Sequence, residues 1–217
     1  MIYCSYIKKP LITEGFSFEY TKDSLSTSEK KSFDDLSLNR KIEKKIVADG
    51  LSKLLSNFLN KEFTNYFIEK DSRGKPFLKS KDKVKESYFI SYSHSQTSVL
   101  VSLSEESDLG VDLESKTRFL KHRAFKKWLH PEESEFLKYK KEDSIDKATI
   151  WTRKEALTKL TGLGYNISFK DLKVYPADQI KFDECDYFFY SKRISTDEVL
   201  SIATKSLYKK ESIVFIE

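Results

Sequence analysis

Two short stretches of the chain carry residue types suited to chemistry on phosphate groups. The first is Gly110–Glu114, with the sequence G-V-D-L-E, in which small and branched residues alternate with acids. This alternation predicts a β-strand, and because successive side chains point to opposite faces, Asp112 and Glu114 are expected on the same side. Taken alone, the pair has an ordinary explanation, which is two acids on a solvent-facing strand edge.

The second stretch is Trp151–Lys159, with the sequence W-T-R-K-E-A-L-T-K. It predicts a helix in which Trp151, Glu155 and Lys159 follow one another at i, i+4 spacing on one face. If the strand packs beside this helix, three carboxylates and a lysine converge. Carboxylate oxygens without His or Cys ligands suit Mg²⁺ better than zinc, and a lysine beside them suits a phosphate group. A surface ion pair between Glu155 and Lys159 is the ordinary alternative.

The composition limits the classes of protein to which the chain can belong. With 217 residues, 39% hydrophobic and 14% aromatic, it can bury a core as one compact domain or as two small halves. No apolar run approaches the roughly 20 residues that cross a bilayer, and the opening residues lack the pattern of a secretory signal. Cys4 and Cys185 are predicted to be free thiols in a reducing compartment. We therefore expect a cytoplasmic protein.

The charged residues favour anionic ligands or acidic protein partners. The net charge is +5, with 39 Lys and Arg against 34 Asp and Glu. The basic residues are scattered among acids, and no recognition helix, zinc finger or RNA-binding signature is found, so nucleic acid is not predicted as a partner. The chain has no glycine-rich phosphate cradle, which argues against an enzyme of nucleoside triphosphates.

The order of predicted elements indicates an α+β protein made of two pseudo-symmetric halves, residues 1–109 and 110–217. Each half begins with a strand, continues with helices and a turn, and ends with paired strands. The first half has a predicted strand at 1–8, a helical pattern over 28–69, a turn at 71–76 and an antiparallel pair at 88–92 and 99–104. The second has strands near 110–114, 167, 174, 187–190, 199–203 and 213–216, with helical segments at 119–129, 132–139 and around Trp151. An echo between Tyr88–Ser93 and Tyr187–Ser191 supports an internal duplication.

A fixed succession of motifs resembles a known family. Gly74–Pro76 (G-K-P), Ser93–Ser95 (S-H-S), Gly110–Glu114 and Trp151–Lys159 (W-x-x-K-E-A-x-x-K) occur in this order. The succession is similar to that of the 4′-phosphopantetheinyl transferases of the long, two-lobed Sfp-type class, over residues 40 to 175 approximately. The third and fourth motifs, Gly110–Glu114 and Trp151–Lys159, are far more specific together at this separation than either is alone.

The resemblance implies a role for each acid and for Lys159. It implies that Asp112, Glu114 and Glu155 hold Mg²⁺ against the pyrophosphate of coenzyme A. Glu155, or Glu114 through a water molecule on the metal, takes the proton from the attacking serine of a carrier protein. Lys159 holds the pyrophosphate and compensates charge on the departing 3′,5′-ADP.

The resemblance also implies a set of residues that bind the rest of coenzyme A. His94, with Ser93, would bind phosphate, and Arg73, Lys75 and Pro76 would line the end that carries the 3′-phosphate. The basic residues of the N-terminal helical region that could reach this phosphate are Arg40, Lys44 and Lys45. Lys53 stands where the family usually has an arginine, which removes bidentate phosphate geometry at that position.

The function implied is a monomeric, Mg²⁺-dependent transfer of the phosphopantetheine arm from coenzyme A to a serine of an apo acyl or peptidyl carrier protein. Two alternatives remain open: a non-catalytic protein that binds coenzyme A or a carrier protein, and a Mg²⁺-dependent phosphohydrolase. Retention of all three acids and of Lys159 argues against binding alone. The basic and apolar segment Arg118–Lys127 is a candidate docking surface for an acidic carrier, and an amphipathic helix with solvated lysines is its ordinary alternative.

Overall fold

The computed structural model describes residues 1–10, 17–82, 86–120, 123–139, 144–164 and 167–216. It divides into two compact units, one formed by Met1–Glu106 with Glu211–Glu217 and the other by Ser107–Lys210. None of the described helices is both long and apolar enough to cross a bilayer.

The described residues of the first unit form a six-stranded sheet and three α-helices. In chain order its elements are β1 (Ile2–Lys8), α1 (Glu19–Asp23), α2 (Thr27–Phe33), α3 (Leu38–Leu54), a π-helical turn (Leu55–Leu59), a 3₁₀ turn (Phe63–Asn65), β2 (Tyr66–Lys70), β3 (Pro76–Ser80), β4 (Ser87–His94), β5 (Ser98–Ser104) and β10 (Ile213–Ile216). The strand order is β10-β1-β5-β4-β3-β2.

The described residues of the second unit form a four-stranded sheet and three α-helices. Its elements are β6 (Leu109–Ser115), α4 (Thr117–Leu120), a 3₁₀ segment (Arg123–Trp128), α5 (Pro131–Tyr139), α6 (Ser144–Thr161), β7 (Gln179–Phe182), β8 (Cys185–Arg193) and β9 (Glu198–Thr204). A 3₁₀ turn (Lys210–Ser212) includes the position in the chain where the second unit ends and the first resumes. The strand order is β6-β9-β8-β7, and every neighbouring pair is antiparallel.

The two units share one topology. In the first, β1 is followed by α3 and then by the meander β3-β4-β5, whose last strand pairs antiparallel with β1. In the second, β6 is followed by α6 and then by β7-β8-β9, whose last strand pairs antiparallel with β6. The strands that carry the Tyr/Phe echo, β4 and β8, occupy equivalent places. The predicted α+β class with two related halves is confirmed at the level of strand order.

A long helix covers two neighbouring strands of each of these sheets. Helix α3 contacts β1 and β5, and helix α6 contacts β6 and β9. The central strands β5 and β9 are buried at every position. Both strands carry hydroxyl side chains among their aliphatic residues, so hydroxyl groups are buried. Such groups form hydrogen bonds inside the protein, as Ser201 Oγ of β9 does with Thr152 Oγ1 of α6 at 2.7 Å.

The close approach of α6 to β6 requires glycine at position 110. A Cβ atom there would lie 2.0 Å from the carbonyl oxygen of Ala156 and 2.5 Å from the amide nitrogen of Leu160. These are backbone atoms of the helix, so no side chain can turn away to make room. Gly110 therefore sets the distance at which the helix crosses the strand.

Some elements differ from the sequence-based expectation. The helical pattern of residues 28–69 ends earlier, and Tyr66–Lys70 is a strand because its alternating buried residues pair with β3. Ser93 and His94 lie at the end of β4 rather than in a loop. Position 174 belongs to no strand, since its amide donates to a carboxylate oxygen of Glu133 instead of to a strand partner. Ile167 likewise lies outside the assigned strands of the described chain.

The closing residues also differ from the proposed division at residue 109. Strand β10 pairs in parallel with β1, so Ile213 lies opposite Ile2 and the segment Glu211–Glu217 belongs to the first unit. The sequence of a short apolar strand such as β10 does not indicate its partner. It therefore could not show that β10 pairs with β1 of the first unit instead of with a strand of the second.

Candidate active site

The two sequence motifs meet in the second unit. Lys159 of α6 donates a hydrogen bond from Nζ to Oδ1 of Asp112 on β6 at 2.7 Å, and another to the carbonyl oxygen of Val111 at 3.0 Å. The contact bridges residues 47 positions apart, and it is possible because Gly110 lets the helix lie directly on the strand. Strand and helix therefore bring Asp112 and Lys159 together.

The acids of this cluster are removed from bulk water. Asp112 is 5% exposed, and the side chain of Glu114 is 12% exposed. Burial, followed by the charge of Asp112, raises the pKa of Glu114 to about 7. Burial and the charge of Asp112 likewise raise the pKa of Glu155 above its ordinary value. The charge of Asp112 thus acts on the pKa of both glutamates, and we call these three carboxylates the acid cluster.

Two basic side chains compensate this negative charge. Lys159 pairs with Asp112, and Arg118 of α4 forms an ion pair with Glu114 through Nη1 and Oε1. The guanidinium of Arg118 also lies over the ring of Trp151, 5.5 Å from its centroid. Its charge opposes the rise in the pKa of Glu155 that burial and Asp112 cause. Arg118 therefore belongs to the acid cluster, although the sequence places it only in the docking segment.

The chemistry of the donor set fits a hard divalent cation, but the acids are not arranged as a finished cage. Asp112, Glu114 and Glu155 offer only carboxylate oxygens, which are the ligands that Mg²⁺ prefers. Among the residues that the structure describes, no group of three or more His, Cys, Asp or Glu side chains is arranged to hold a metal ion. Asp112 and Glu114 are instead paired with Lys159 and Arg118, and the role of the three acids as ligands stays a prediction.

Several of the predicted coenzyme A ligands lie in the first unit around Glu43. Its carboxylate accepts hydrogen bonds from Lys9 at 2.9 Å and from Arg40 at 3.2 Å, and Nδ1 of His94 lies 3.5 Å away. Burial favours the neutral acid, but the hydrogen bond from Lys9 and the charge of His94 hold the pKa of Glu43 below its usual range. Arg40 and His94 are thus brought together by an acid that the sequence analysis did not single out. Ser93, beside His94, is buried.

The other predicted basic residues of the first unit contact acids other than Glu43. Lys44 and Lys70 both contact Oε1 of Glu29, at 3.1 and 3.0 Å.

Arg73 and Lys75 belong to a turn that Asp71 holds by accepting hydrogen bonds from both backbone amides at 2.9 Å, and Pro76 begins β3 immediately after it. Lys45, the third basic candidate of α3, pairs with Asp49 on its own helix. The turn predicted at 71–76 is confirmed.

A buried ion pair fixes the helix that carries Glu155 and Lys159. Nζ of Lys154, 1% exposed, contacts Oε2 of Glu133, which is fully buried, at 2.7 Å. The same ammonium group donates to the carbonyl oxygens of Trp128 and Phe169, and Glu133 accepts from the backbone amide of Val174. Lys154 of the W-x-x-K-E-A-x-x-K motif therefore has a structural role, because its side chain is buried with Glu133.

Sequence reasoning missed Glu43, Glu29, Lys9 and Lys154 as members of these networks. The spacing of Arg40 and Glu43 on one helix could have indicated their contact, because i, i+3 pairs are neighbours. The other contacts join distant parts of the chain and leave no local signal.

Comparison with known proteins agrees with the site at the level of the superfamily. Residues 108–203 match the model of the 4′-phosphopantetheinyl transferase superfamily. The matched segment lies in the second unit, contains Asp112, Glu114, Glu155 and Lys159, and spans somewhat less than half of the chain. No curated protein matches the chain. The match supports a transferase acting on phosphopantetheine in general.

Proposed function

We propose that the protein transfers the 4′-phosphopantetheine arm of coenzyme A to a serine of an apo acyl or peptidyl carrier protein, as an Sfp-type, Mg²⁺-dependent and monomeric enzyme. The observation that carries the proposal is the contact between Lys159 and Asp112, which joins the two diagnostic motifs inside the matched segment. Binding of coenzyme A by Arg40, Lys44, Arg73, Lys75, Pro76, Ser93 and His94 is part of the proposal.

The reaction is a substitution at phosphorus. The serine oxygen of the carrier bonds to the phosphorus that bears the pantetheine arm, and the bond from this phosphorus to the bridging pyrophosphate oxygen breaks. The electron pair leaves with 3′,5′-ADP. The serine proton passes to Glu114 or Glu155, both of which burial makes more basic than an ordinary glutamate.

The other residues of the cluster position groups and offset charge. Asp112, Glu114 and Glu155 would hold Mg²⁺, which supplies polarisation of the pyrophosphate when bound. Lys159 contributes a fixed positive charge beside the leaving group, and Asp112 orients its ammonium group. Such positioning and charge stabilisation are what phosphoryl-type transfer requires of a protein.

Mass spectrometry of an apo carrier protein tests the proposal and separates it from the alternatives. After incubation with coenzyme A and Mg²⁺, we expect the carrier to gain the mass of one phosphopantetheine arm, with release of 3′,5′-ADP. Binding of coenzyme A or carrier without any mass change would favour the non-catalytic protein. Hydrolysis of a phosphate ester without a carrier would favour the phosphohydrolase.

Replacement of Lys159 by Ala is expected to lower kcat about a hundredfold and to raise the KM for coenzyme A. The expectation follows because the ammonium group acts on both the bound pyrophosphate and the charge that develops as 3′,5′-ADP leaves. Steady-state kinetics with varied coenzyme A measure both constants. An unchanged kcat would reduce Lys159 to the ion-pair partner of Asp112.

The docking segment is proposed to bind the carrier through its exposed basic residues. Phe119 and Phe125 are buried, whereas Lys126 and Lys127 are exposed. Lys121, another basic residue of the segment, lies outside the described residues. The apolar side chains of Phe119 and Phe125 therefore pack beneath the segment, and the two described lysines are available to an acidic partner.

The variant Lys126→Glu/Lys127→Glu is expected to raise the KM for the carrier strongly at low salt and less at high salt, because surface charges are screened over about 10 Å at 0.1 M ionic strength. The KM for coenzyme A should change little. The matched control is Lys205→Glu/Lys209→Glu, which makes the same charge change at exposed positions of the same unit. Equal damage to both substrates, or a loss independent of salt, would contradict the docking role.

A further inference from the structure

We propose that Arg118 is a displaceable counter-cation of the acid cluster, which holds the Glu114 carboxylate until a divalent cation takes its place. The inference rests on the proposed function only in assigning a divalent cation to these acids. It gives Arg118 a positioning role that neither the superfamily match nor the sequence motifs assign.

The backbone of Arg118 is anchored close to the acids. Helix α4 begins directly after β6, and its residue Phe119 is buried against Phe125 and Trp151 with ring centroids 5.2 and 6.0 Å apart. The turn between strand and helix is tied by the side chain of Ser115, which contacts Thr117. A fixed backbone at this position keeps the guanidinium within reach of the cluster.

The guanidinium connects both motifs of the candidate site. It pairs with Glu114 on the strand, stacks over Trp151 on the helix, and acts on Glu155 through its charge. Lys159 similarly pairs with Asp112. Three carboxylates thus face two cationic side chains, and a divalent cation that bound Glu114 would have to compete with Arg118 for the same oxygens.

Exposure decides which partner of the Glu114–Arg118 pair can move. The side chain of Arg118 is 51% exposed, whereas that of Glu114 is 12% exposed. A guanidinium that turns outward regains its hydration, but the carboxylate left behind is buried and needs another positive charge. A divalent cation supplies that charge, so it can replace Arg118 and compete with it for the site.

Lys159 is held differently from Arg118. Its ammonium group bonds to the carbonyl oxygen of Val111 as well as to Asp112, and its side chain is less exposed, at 32%. The backbone contact keeps it in place when the charge of Asp112 is shared. Of the two cations, Arg118 is the one that competition would displace.

Divalent-cation binding by the full chain tests the proposal without coenzyme A or carrier. We expect calorimetric titration with MnCl₂ or MgCl₂ to give about fivefold tighter binding for Arg118→Gln than for the original protein, because no ion pair has to be broken. Arg118→Lys, which keeps the charge but loses the planar group, should lie between the two. The matched control Lys205→Gln removes the same charge from an exposed position of this unit and should bind the cation as the original protein does.

Fluorescence of Trp151 gives a second readout, which reports directly on whether the guanidinium of Arg118 leaves its place over the ring. The chain has two tryptophans, so Trp128→Phe leaves Trp151 as the only tryptophan, whose emission is observed by exciting at a wavelength that tyrosine does not absorb. In this variant we expect added cation to change the emission of Trp151, because the guanidinium of Arg118 leaves the ring. The cation concentration at half of the emission change should equal the midpoint of the calorimetric titration. The change should disappear when Arg118→Gln is added.

The outcomes separate this inference from the proposed function. Unchanged or weaker cation binding by Arg118→Gln, or an emission change that persists in its absence, would overturn the counter-cation role while leaving carrier modification untouched. Failure of carrier modification with tighter cation binding by Arg118→Gln would overturn the transferase and support the role of Arg118. If the original protein binds no divalent cation, the inference is wrong.

Discussion

Replacing Asp112 by Asn is expected to abolish measurable transfer, with kcat/KM reduced on the order of a thousandfold or more. The physical reason is that the buried carboxylate of Asp112 serves two purposes: it orients the ammonium group of Lys159 and contributes negative charge for a divalent cation. Asparagine keeps the size of the side chain and one oxygen but removes the charge. Mass spectrometry of carrier modification over time, at saturating coenzyme A and Mg²⁺, measures the loss.

The choice of asparagine follows from burial. An exposed cleft acid could be replaced by alanine without harm to the fold, but Asp112 is 5% exposed, so alanine would leave a cavity as well as remove the charge. Glu155→Gln should give a loss of similar size, because Glu155 faces the same cluster.

Asp186→Asn is the matched control, since Asp186 is an exposed acid on β8 of the same unit, and it should retain full activity. Thermal unfolding separates a damaged site from a damaged fold: Asp112→Asn should unfold within a few degrees of the original protein. Near-normal turnover by Asp112→Asn would show that the acids do not form the catalytic centre.

The sequence predicted those parts of the molecule whose signals are local. Alternation of small and branched residues with acids indicated β6, and the i, i+4 spacing of Trp151, Glu155 and Lys159 indicated α6. The helix ends at Thr161, and Gly162 follows it with a positive φ of 67°, which favours glycine. The sequence predicted contact between the two motifs only if the helix packs beside the strand. Periodicity determines which face of an element a residue occupies, but not which strand the helix crosses.

The rest of the candidate site depends on contacts between distant residues. The pairing of Lys9 with Glu43 spans 34 positions, and that of β10 with β1 spans almost the whole chain. Arg118 lies within a basic and apolar segment whose pattern is equally compatible with a partner surface, and its contacts with Glu114 and Trp151 place it at the acids. Composition cannot distinguish a lysine that faces water from one that, like Lys154, is buried with a carboxylate.

The buried pair of Lys154 and Glu133 explains how the helix of the candidate site is held. Its members come from α6 and α5, and its hydrogen bonds reach the backbone at Trp128, Phe169 and Val174. Burial lowers the pKa of Lys154, opposed by the charge of Glu133, so the ammonium form depends on its partner. The pair therefore connects α6 to the segments that contain Trp128, Phe169 and Val174, and it fixes the part of the helix that carries Glu155.

Lys154→Met is expected to lower the free energy of unfolding by about 3–5 kcal/mol, because it leaves the carboxylate of Glu133 buried without its counter-charge. Urea denaturation followed by tryptophan fluorescence measures the change as a shift of the transition midpoint. The exposed Lys138 on α5 provides the control, and Lys138→Met should change stability by no more than about 0.5 kcal/mol.

The double variant Lys154→Met/Glu133→Gln distinguishes the loss of a charge partner from the loss of packing. Glutamine removes the unpaired charge but still offers an oxygen to the amide of Val174, so the double variant should be more stable than Lys154→Met alone. We expect a coupling energy of about 1–3 kcal/mol between the two positions. The double variant should stay below the original protein, because the carbonyl oxygens of Trp128 and Phe169 lose their donor. Additive effects of the two substitutions would show that Lys154 stabilises the helix through its hydrocarbon chain and not through its charge.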